Sequence, residues 1–363
     1  MANYRSDVVG SLLRPGYWKQ ARARHDAGAI GHVEYKRIED RAVDEAIALQ
    51  TAAGLDVITD GEMRRYAFFG HLPDSIEGFD ATGGWAIPFR DEQGNEVVIQ
   101  RPVAVSKLRR RRHMCAEEFT YLRGRTRACP KVTLVSAQQA AAYYDPEKSK
   151  AGYPTIDAYL ADIVDILRDE VEELVRLGCT YIQVDAPQYA GLLDPAIREG
   201  YRKRGNDPDR LLDRCIELDN AVIGNHPGIT FGLHLCRGNN QSKFYASGDY
   251  GPVADVFRKT RFHRFLLEFD DARSGGFEPL KHVPDDRTVV LGLITTKKPA
   301  LENRDSVKQR IREASAIVPL ERLALSPQCG FASTMEGNLL SAADQEAKLR
   351  LVAEVAKEVW GRQ

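Results

Sequence analysis

The chain has 363 residues, 43% hydrophobic and 28% charged, with 51 basic against 52 acidic side chains and a net charge of −1. That length suits one large α/β domain, and the balanced charge argues against a general nucleic-acid binder. No apolar run approaches the roughly 20 residues that cross a bilayer, Met1–Asp7 lacks the apolar core of a signal peptide, and the six cysteines are scattered, so the expectation is a cytoplasmic protein with free or metal-bound thiols and no membrane partner.

Val8-Val9-Gly10-Ser11-Leu12 reads as a short apolar strand. From Val33 to Ala53 apolar residues recur at helical spacing, and Gly54 closes the helix. Leu55–Thr59 is a second strand, ending at Asp60-Gly61-Glu62. The texture then changes: Gly83-Gly84, Asp91–Asn95 and the alternating run Glu96–Val105 predict a hairpin inserted near 79–112. Lys131–Ser136 is a further strand, and the stripe Leu160, Ile163, Val164, Leu167, Val171, Leu174, Val175 predicts a helix ended by Gly178. Tyr181–Val184 is a strand ending at Asp185-Ala186-Pro187, followed by a polar helix over about 208–224. Phe231–Leu235, Phe265–Phe269, Thr288–Ile294 and Leu323–Ser326 complete the strands, with helices near 305–317 and from Ala342.

Short apolar strands alternating with amphipathic helices mean parallel β/α units. There are eight or nine, and no dinucleotide-type glycine turn follows the first strand. The predicted fold is therefore an α/β (β/α)8 TIM-like barrel, one domain over 1–363, with the 103–108 run as the surplus strand candidate.

Polar residues stand where several apolar strands stop: Ser11, Glu62, Asp185, His234 with Cys236, Glu268 and Cys329. In a barrel of parallel strands those ends meet on one face. His234 and Cys236 are two apart, so on a strand they project together. With Glu268 and Cys329 they make a four-ligand set for zinc. Two thiolates and a carboxylate leave such a site at about −1 by formal charge. A thiol bound there stays electron-rich and able to attack an alkyl carbon, so the ligand set points to S-alkylation rather than hydrolysis. The blander reading of Cys115, Cys129, Cys179 and Cys215 is small core residues.

These segments resemble the catalytic C-terminal barrel of cobalamin-independent methionine synthase and its shorter single-domain relatives. Val9-Gly10-Ser11 resembles the family's Ile-Gly-Ser turn, Gly61-Glu62 its Gly-Glu segment and Asp185-Ala186-Pro187 its Asp-Glu-Pro turn. His234-x-Cys236, Glu268 and Ser326-Pro327-Gln328-Cys329-Gly330 resemble its zinc-ligand segments. The resemblance implies substrate contacts at Ser11, Glu62 and Asp185, zinc on His234, Cys236, Glu268 and Cys329, and a place in methionine biosynthesis. There are departures. The family's N-terminal barrel has no counterpart here, Ala186 replaces a Glu, and no match is found for the Trp that stacks on folate. Thr295 or Thr296 stands where the family has its catalytic His. Thr295, Thr296 and Asp185 are the expected catalytic positions.

The implied activity is a zinc-dependent methyl or alkyl transfer to a thiol such as homocysteine, with a folate or a corrinoid as candidate methyl donor. The alternatives are opening of an epoxide by a thiol, as in transfer to coenzyme M, and a zinc-stabilised binding protein without turnover. The acceptor, the donor and the oligomeric state, a homo-oligomer included, are left open. Lys107 with Arg109–Arg112 is a basic run read first as a solvated face and second as a contact for an anionic tail.

Overall fold

The structure is a computed structural model and describes residues 4–361. In chain order the strands are β1 (Val57–Ile58), β2 (Ile76–Asp80), β3 (Ala86–Arg90), β4 (Glu96–Gln100), β5 (Val103–Arg110), β6 (Cys129–Pro130), β7 (Val132–Val135), β8 (Tyr181–Asp185), β9 (Thr230–Leu235), β10 (Arg264–Glu268), β11 (Thr288–Ile294) and β12 (Leu323–Pro327). Six of them form one parallel sheet in the order β12-β11-β10-β9-β8-β7. Every residue of β7 to β10 and of β12 is buried, which is why these strands read as unbroken apolar runs rather than alternating ones. The helices that follow them pack on the sheet; Ile156–Arg176 buries the predicted stripe Leu160, Ile163, Val164, Leu167, Val171 and Leu174, and Ala342–Trp360, after β12, buries Leu349, Val352 and Val355.

Shorter pairings extend both edges of the sheet. β1 pairs with β6, which runs into β7 through Lys131. Residues 5–7 lie between β12 and β1: Ser6 bridges Leu325, Asp7 N–H donates to Leu325 O (2.9 Å) and Val57 N–H donates to Ser6 O (3.3 Å).

The expected strand at Val8–Leu12 is not one. These residues are buried except for half-buried Leu13 beyond them, but their carbonyls are taken by side chains instead of a ladder: Val8 O by Lys131 Nζ, Val9 O by Gln183 Nε2 (2.6 Å) and Gly10 O by Thr59 Oγ1 (2.8 Å). Regular pairing there is confined to Ser6, and the second strand shrinks to Val57–Ile58. The surplus strand is resolved as well. Val103–Arg110 pairs antiparallel with β2 and belongs to the insertion, where β3 and β4 form a nested hairpin.

A buried polar cluster lies among the strands. Lys131 Nζ pairs with Asp7 Oδ1 (2.7 Å) and donates to Gln183 Oε1 (2.6 Å), while Tyr181 OH donates to Asp7 Oδ2 (2.8 Å). Gln183 Nε2 also donates to Asp185 Oδ1 (2.7 Å). Lys131 is paired with Asp7, and both carboxylates accept hydrogen bonds, which offsets the cost of holding them out of water. The cluster therefore fixes Asp185 at the end of β8.

Candidate active site

The parallel strands aim their C-terminal ends at one cavity of about 430 Å³. Ser11, Glu62, Asp185, His234, Cys236 and Cys329 all line it. The β8–β9–β10 register sets Asp185 beside His234 and His234 beside Leu266.

The ligating atoms of His234, Cys236 and Cys329 lie within 4.8 Å of one another, and all three residues are buried. His234 Nδ1 is 3.2 Å from Leu266 O, a contact that places the ring proton on Nδ1. Nε2 is then left buried without a hydrogen-bond partner. Burial tends to lower the pKa of His234, but the neighbouring Cys329, Asp185 and Glu268 outweigh it and push it up. Cys329 is pushed well above the usual thiol range, first by Cys236 and then by burial. Two buried sulfurs beside an unpartnered imidazole nitrogen are a donor set that a divalent cation satisfies. Zinc fits it.

Glu268 is placed differently. Its carboxylate is outside that 4.8 Å group and is fully buried. It accepts from Arg237 N–H (2.6 Å) and pairs with Lys297 Nζ (3.1 Å). Burial works to raise its pKa, but Lys297, Arg237 and Arg273 hold it down to about 2.

Glu62 sits at φ +54, a conformation uncommon outside glycine and enriched at functional sites. Glu62 Oε1 accepts from Thr133 Oγ1 (2.7 Å), and Oε2 is buried without a partner. A side chain at Gly10 would meet Glu62 Oε1 at 2.5 Å, so that glycine makes the room. Asp185 is fully buried, which pushes its carboxyl up to about 6 against the opposing charge of His234.

Two loops carry the thiols and are tied together. Asn239 Nδ2 donates to Gly330 O (2.7 Å) and lies 3.0 Å from Thr296 Oγ1, which donates to Gln328 Oε1 (2.6 Å). Arg237 is fully buried and braces the first loop on Gly248 O, Glu268 O and Tyr250. The hairpin covers the cavity: Trp85–Phe89, Ile99 and Arg101 line it. Its tip is docked by paired backbone bonds between Arg90 and Phe244 (2.7 and 2.9 Å) and by the Lys243–Asp91 pair (2.7 Å).

Residues 6–358 match the family described as cobalamin-independent synthase, catalytic domain. The chain belongs to this family. YxjH of Bacillus subtilis, itself described as uncharacterized, is 36% identical over 99% of this chain and 95% of its own length. The methionine synthase of Pyrococcus abyssi is 26% identical over 90% of this chain and 86% of its own. A solved structure of a candidate vitamin-B12-independent methionine synthase from Listeria monocytogenes is 29% identical, covers 100% of this chain and 99% of its own, and superposes with a TM-score of 0.75. The chain is thus an enzyme of a methyltransferase family, with an α/β fold like that of the B12-independent synthases.

Among the residues picked out in this synthase-family sequence, the two threonines lie apart from the cavity. Thr296 is buried behind it and serves the Asn239–Gln328–Gly330 tie; Thr295 N–H donates to Glu302 Oε1 (2.8 Å). Neither is in the lining. The basic run follows its blander reading: Arg109 pairs with Glu77 (2.5 Å) and Lys107 with Asp162 (2.8 Å) on the surface. Arg101 and Gln139, both in the lining, carry no sequence signal. Arg101 reads as one more charge at a hairpin edge, and Gln139 falls in a short Ala-rich 3-10 helix, Ala137–Tyr143. Among the described residues, no helix is long and apolar enough to cross a membrane.

Proposed function

We propose that this chain is a zinc-dependent thiol methyl- or alkyltransferase, acting as one catalytic domain in the cytoplasm. The observation that carries the reading is the unpartnered His234 Nε2 beside two buried sulfurs, at the wall of a cavity that Ser11, Glu62 and Asp185 also line. The pairings of residues 5–7 and of β1 supply the two further strands that would close the six-stranded sheet into a (β/α)8 barrel.

His234, Cys236 and Cys329 would hold the zinc, with Glu268 as the fourth candidate ligand. When bound there, zinc supplies the Lewis acidity that keeps an acceptor thiol deprotonated near neutral pH. Glu62 and Asp185 present carboxyl oxygens toward the same space, which suits the ammonium of an amino-acid thiol such as homocysteine. Ser11 offers a hydroxyl beside the Cys329–Gly330 loop. The Asn239–Thr296–Gln328 tie holds the two thiol-bearing loops in register, so Thr296 is a positioning residue. The hairpin excludes water from the reacting sulfur and carbon.

A second reading concerns the donor. Among the described residues, no imidazole other than His234 lines the cavity, and Thr295 and Thr296 are outside it. That favours a donor whose leaving group needs no proton, such as a corrinoid, or an epoxide whose alkoxide takes its proton from solvent rather than from that position. The test is transfer to homocysteine from methyltetrahydrofolate, methylcobalamin and an epoxide, assayed in parallel with the zinc-loaded protein. Turnover with one donor assigns it; methylfolate alone would remove the second reading, and no transfer from any donor would remove the first as well.

A further inference from the structure

Arg101 is the buried charge in the cavity that this chemistry does not use. It stands at the neck of the hairpin, where its N–H donates to Trp85 O (3.0 Å) and its carbonyl accepts from Gly84 N–H (3.0 Å). Those bonds fix the backbone, so the guanidinium has little freedom to leave. The residue is 3% exposed, yet Nε and Nη1 have no hydrogen-bond partner. Its Cζ lies 4.1 Å over the Phe69 ring. A ring face offsets only part of what a guanidinium loses on leaving water. The polar groups that act on it are the phenols of Tyr143 and Tyr245, and among the described residues no carboxylate pairs with it. Gln139, 5% exposed, lines the same cavity, and its Nε2 is also without a partner.

A forked cation and an amide donor, both buried, unpartnered and facing one cavity, form a preset receptor for an oxyanion. We propose that Arg101 and Gln139 form a subsite for an anionic oxygen group, a carboxylate, sulfonate or phosphate, on a substrate held in this cavity. The subsite deepens the thiol-transfer reading and relies on it only for the identity of the molecule that carries the anion. The anion comes either from the acceptor thiol or from an acidic tail on the donor. The surface arginines 109–112 are not part of it; the cavity is lined by Arg101 and not by them.

The experiment uses two substrate pairs that differ only in their carboxylates. Homocysteine is compared with 3-aminopropanethiol, and methyltetrahydropteroylglutamate with its diamide, in which both glutamate carboxylates are carboxamides. Dissociation constants are read from the fluorescence of Trp85, which lines the cavity, in the zinc-loaded wild type, Arg101→Gln and Arg101→Lys. In one pair, Arg101→Gln is expected to weaken the carboxylate-bearing member at least tenfold and its carboxylate-free partner less than twofold, with Arg101→Lys in between. The pair that responds identifies the source. An Arg101→Gln protein with wild-type circular dichroism and zinc content that binds all four ligands as the wild type does would overturn the subsite. Should the wild type bind neither pair, the transfer reading fails, and crystals soaked in selenate decide the subsite. An anomalous peak against Arg101 in the wild type but not in Arg101→Gln sustains it, and no peak there overturns it.

Discussion

Alanine at Gly330 is a small change with a calculable effect. An added Cβ would lie 2.1 Å from Ser11 Oγ and 3.1 and 3.2 Å from Ser11 O and N. The hydroxyl can rotate away, but the Ser11 backbone cannot, because its carbonyl accepts from Phe331 N–H (2.8 Å). The 329–331 segment must therefore move by a few tenths of an ångström. Overpacking of this kind costs about 1–3 kcal/mol. The movement carries Cys329 away from His234 and Cys236, and displacement of a supporting contact typically weakens a metal site by about tenfold or more. Urea unfolding and competition with a zinc chelator measure the two effects. Gly124→Ala is the control: the nearest atoms to its Cβ are 3.8 Å away and its φ is −74°, so it is expected to be neutral or more stable by up to about 1 kcal/mol. A Gly330→Ala protein with the wild-type urea midpoint and wild-type zinc affinity would refute the close-packing argument.

Three other outcomes follow from the buried charges. Asp219 is fully buried, accepts from Ser136 Oγ (2.5 Å) and Tyr189 OH (2.9 Å), and burial pushes it up to about 6. Because the folded state binds this proton more tightly than the unfolded state, stability falls as pH rises from about 4 to 6, by at most about 3 kcal/mol. Asp219→Asn should remove that fall; parallel wild-type and variant curves of unfolding free energy against pH would contradict it. Arg65 is buried against Glu118 (2.5 Å) and donates to Thr133 Oγ1 (2.9 Å). Arg65→Met leaves Glu118 unpaired and should cost about 3–5 kcal/mol in urea unfolding, with part of the loss restored in the double variant carrying Glu118→Gln. Glu268 is committed to Lys297 and the Arg237 N–H, so Glu268→Gln should reduce zinc content less than Cys329→Ser does. Equal losses on elemental analysis would show that the carboxylate is as strong a ligand as the thiol.

The parallel strands β7 to β12 were legible because burial on both faces leaves uninterrupted apolar runs, and the polar residues ending β8, β9 and β12 (Asp185, His234 with Cys236, and Cys329) mark the cavity wall. His234, Cys236 and Cys329 converge because strand direction alone brings those ends together. Val8–Leu12 misled for a related reason. It is as apolar as a strand and as buried, but its carbonyls bond to Lys131, Gln183 and Thr59, three side chains far along the sequence. No local pattern shows that competition. Lys297 illustrates the same limit at the site. In sequence, Lys297-Lys298 reads first as a surface pair and second as a general acid or an anion contact, yet Lys297 is 7% exposed and takes the oxygen of Glu268. The helix Gly16–Asp26 buries only Trp18 and Ala21 among polar neighbours, so its periodicity is too weak to read.

X-ray absorption at the zinc edge, recorded on the purified protein with and without homocysteine, tests the central claim most directly. Zinc bound through Cys236 and Cys329 should show two sulfur neighbours alone and three once the acceptor thiol has joined. A protein that binds no zinc, or one whose sulfur count stays unchanged at saturating thiol, would contradict the transferase reading; the unchanged count would mark the site as structural.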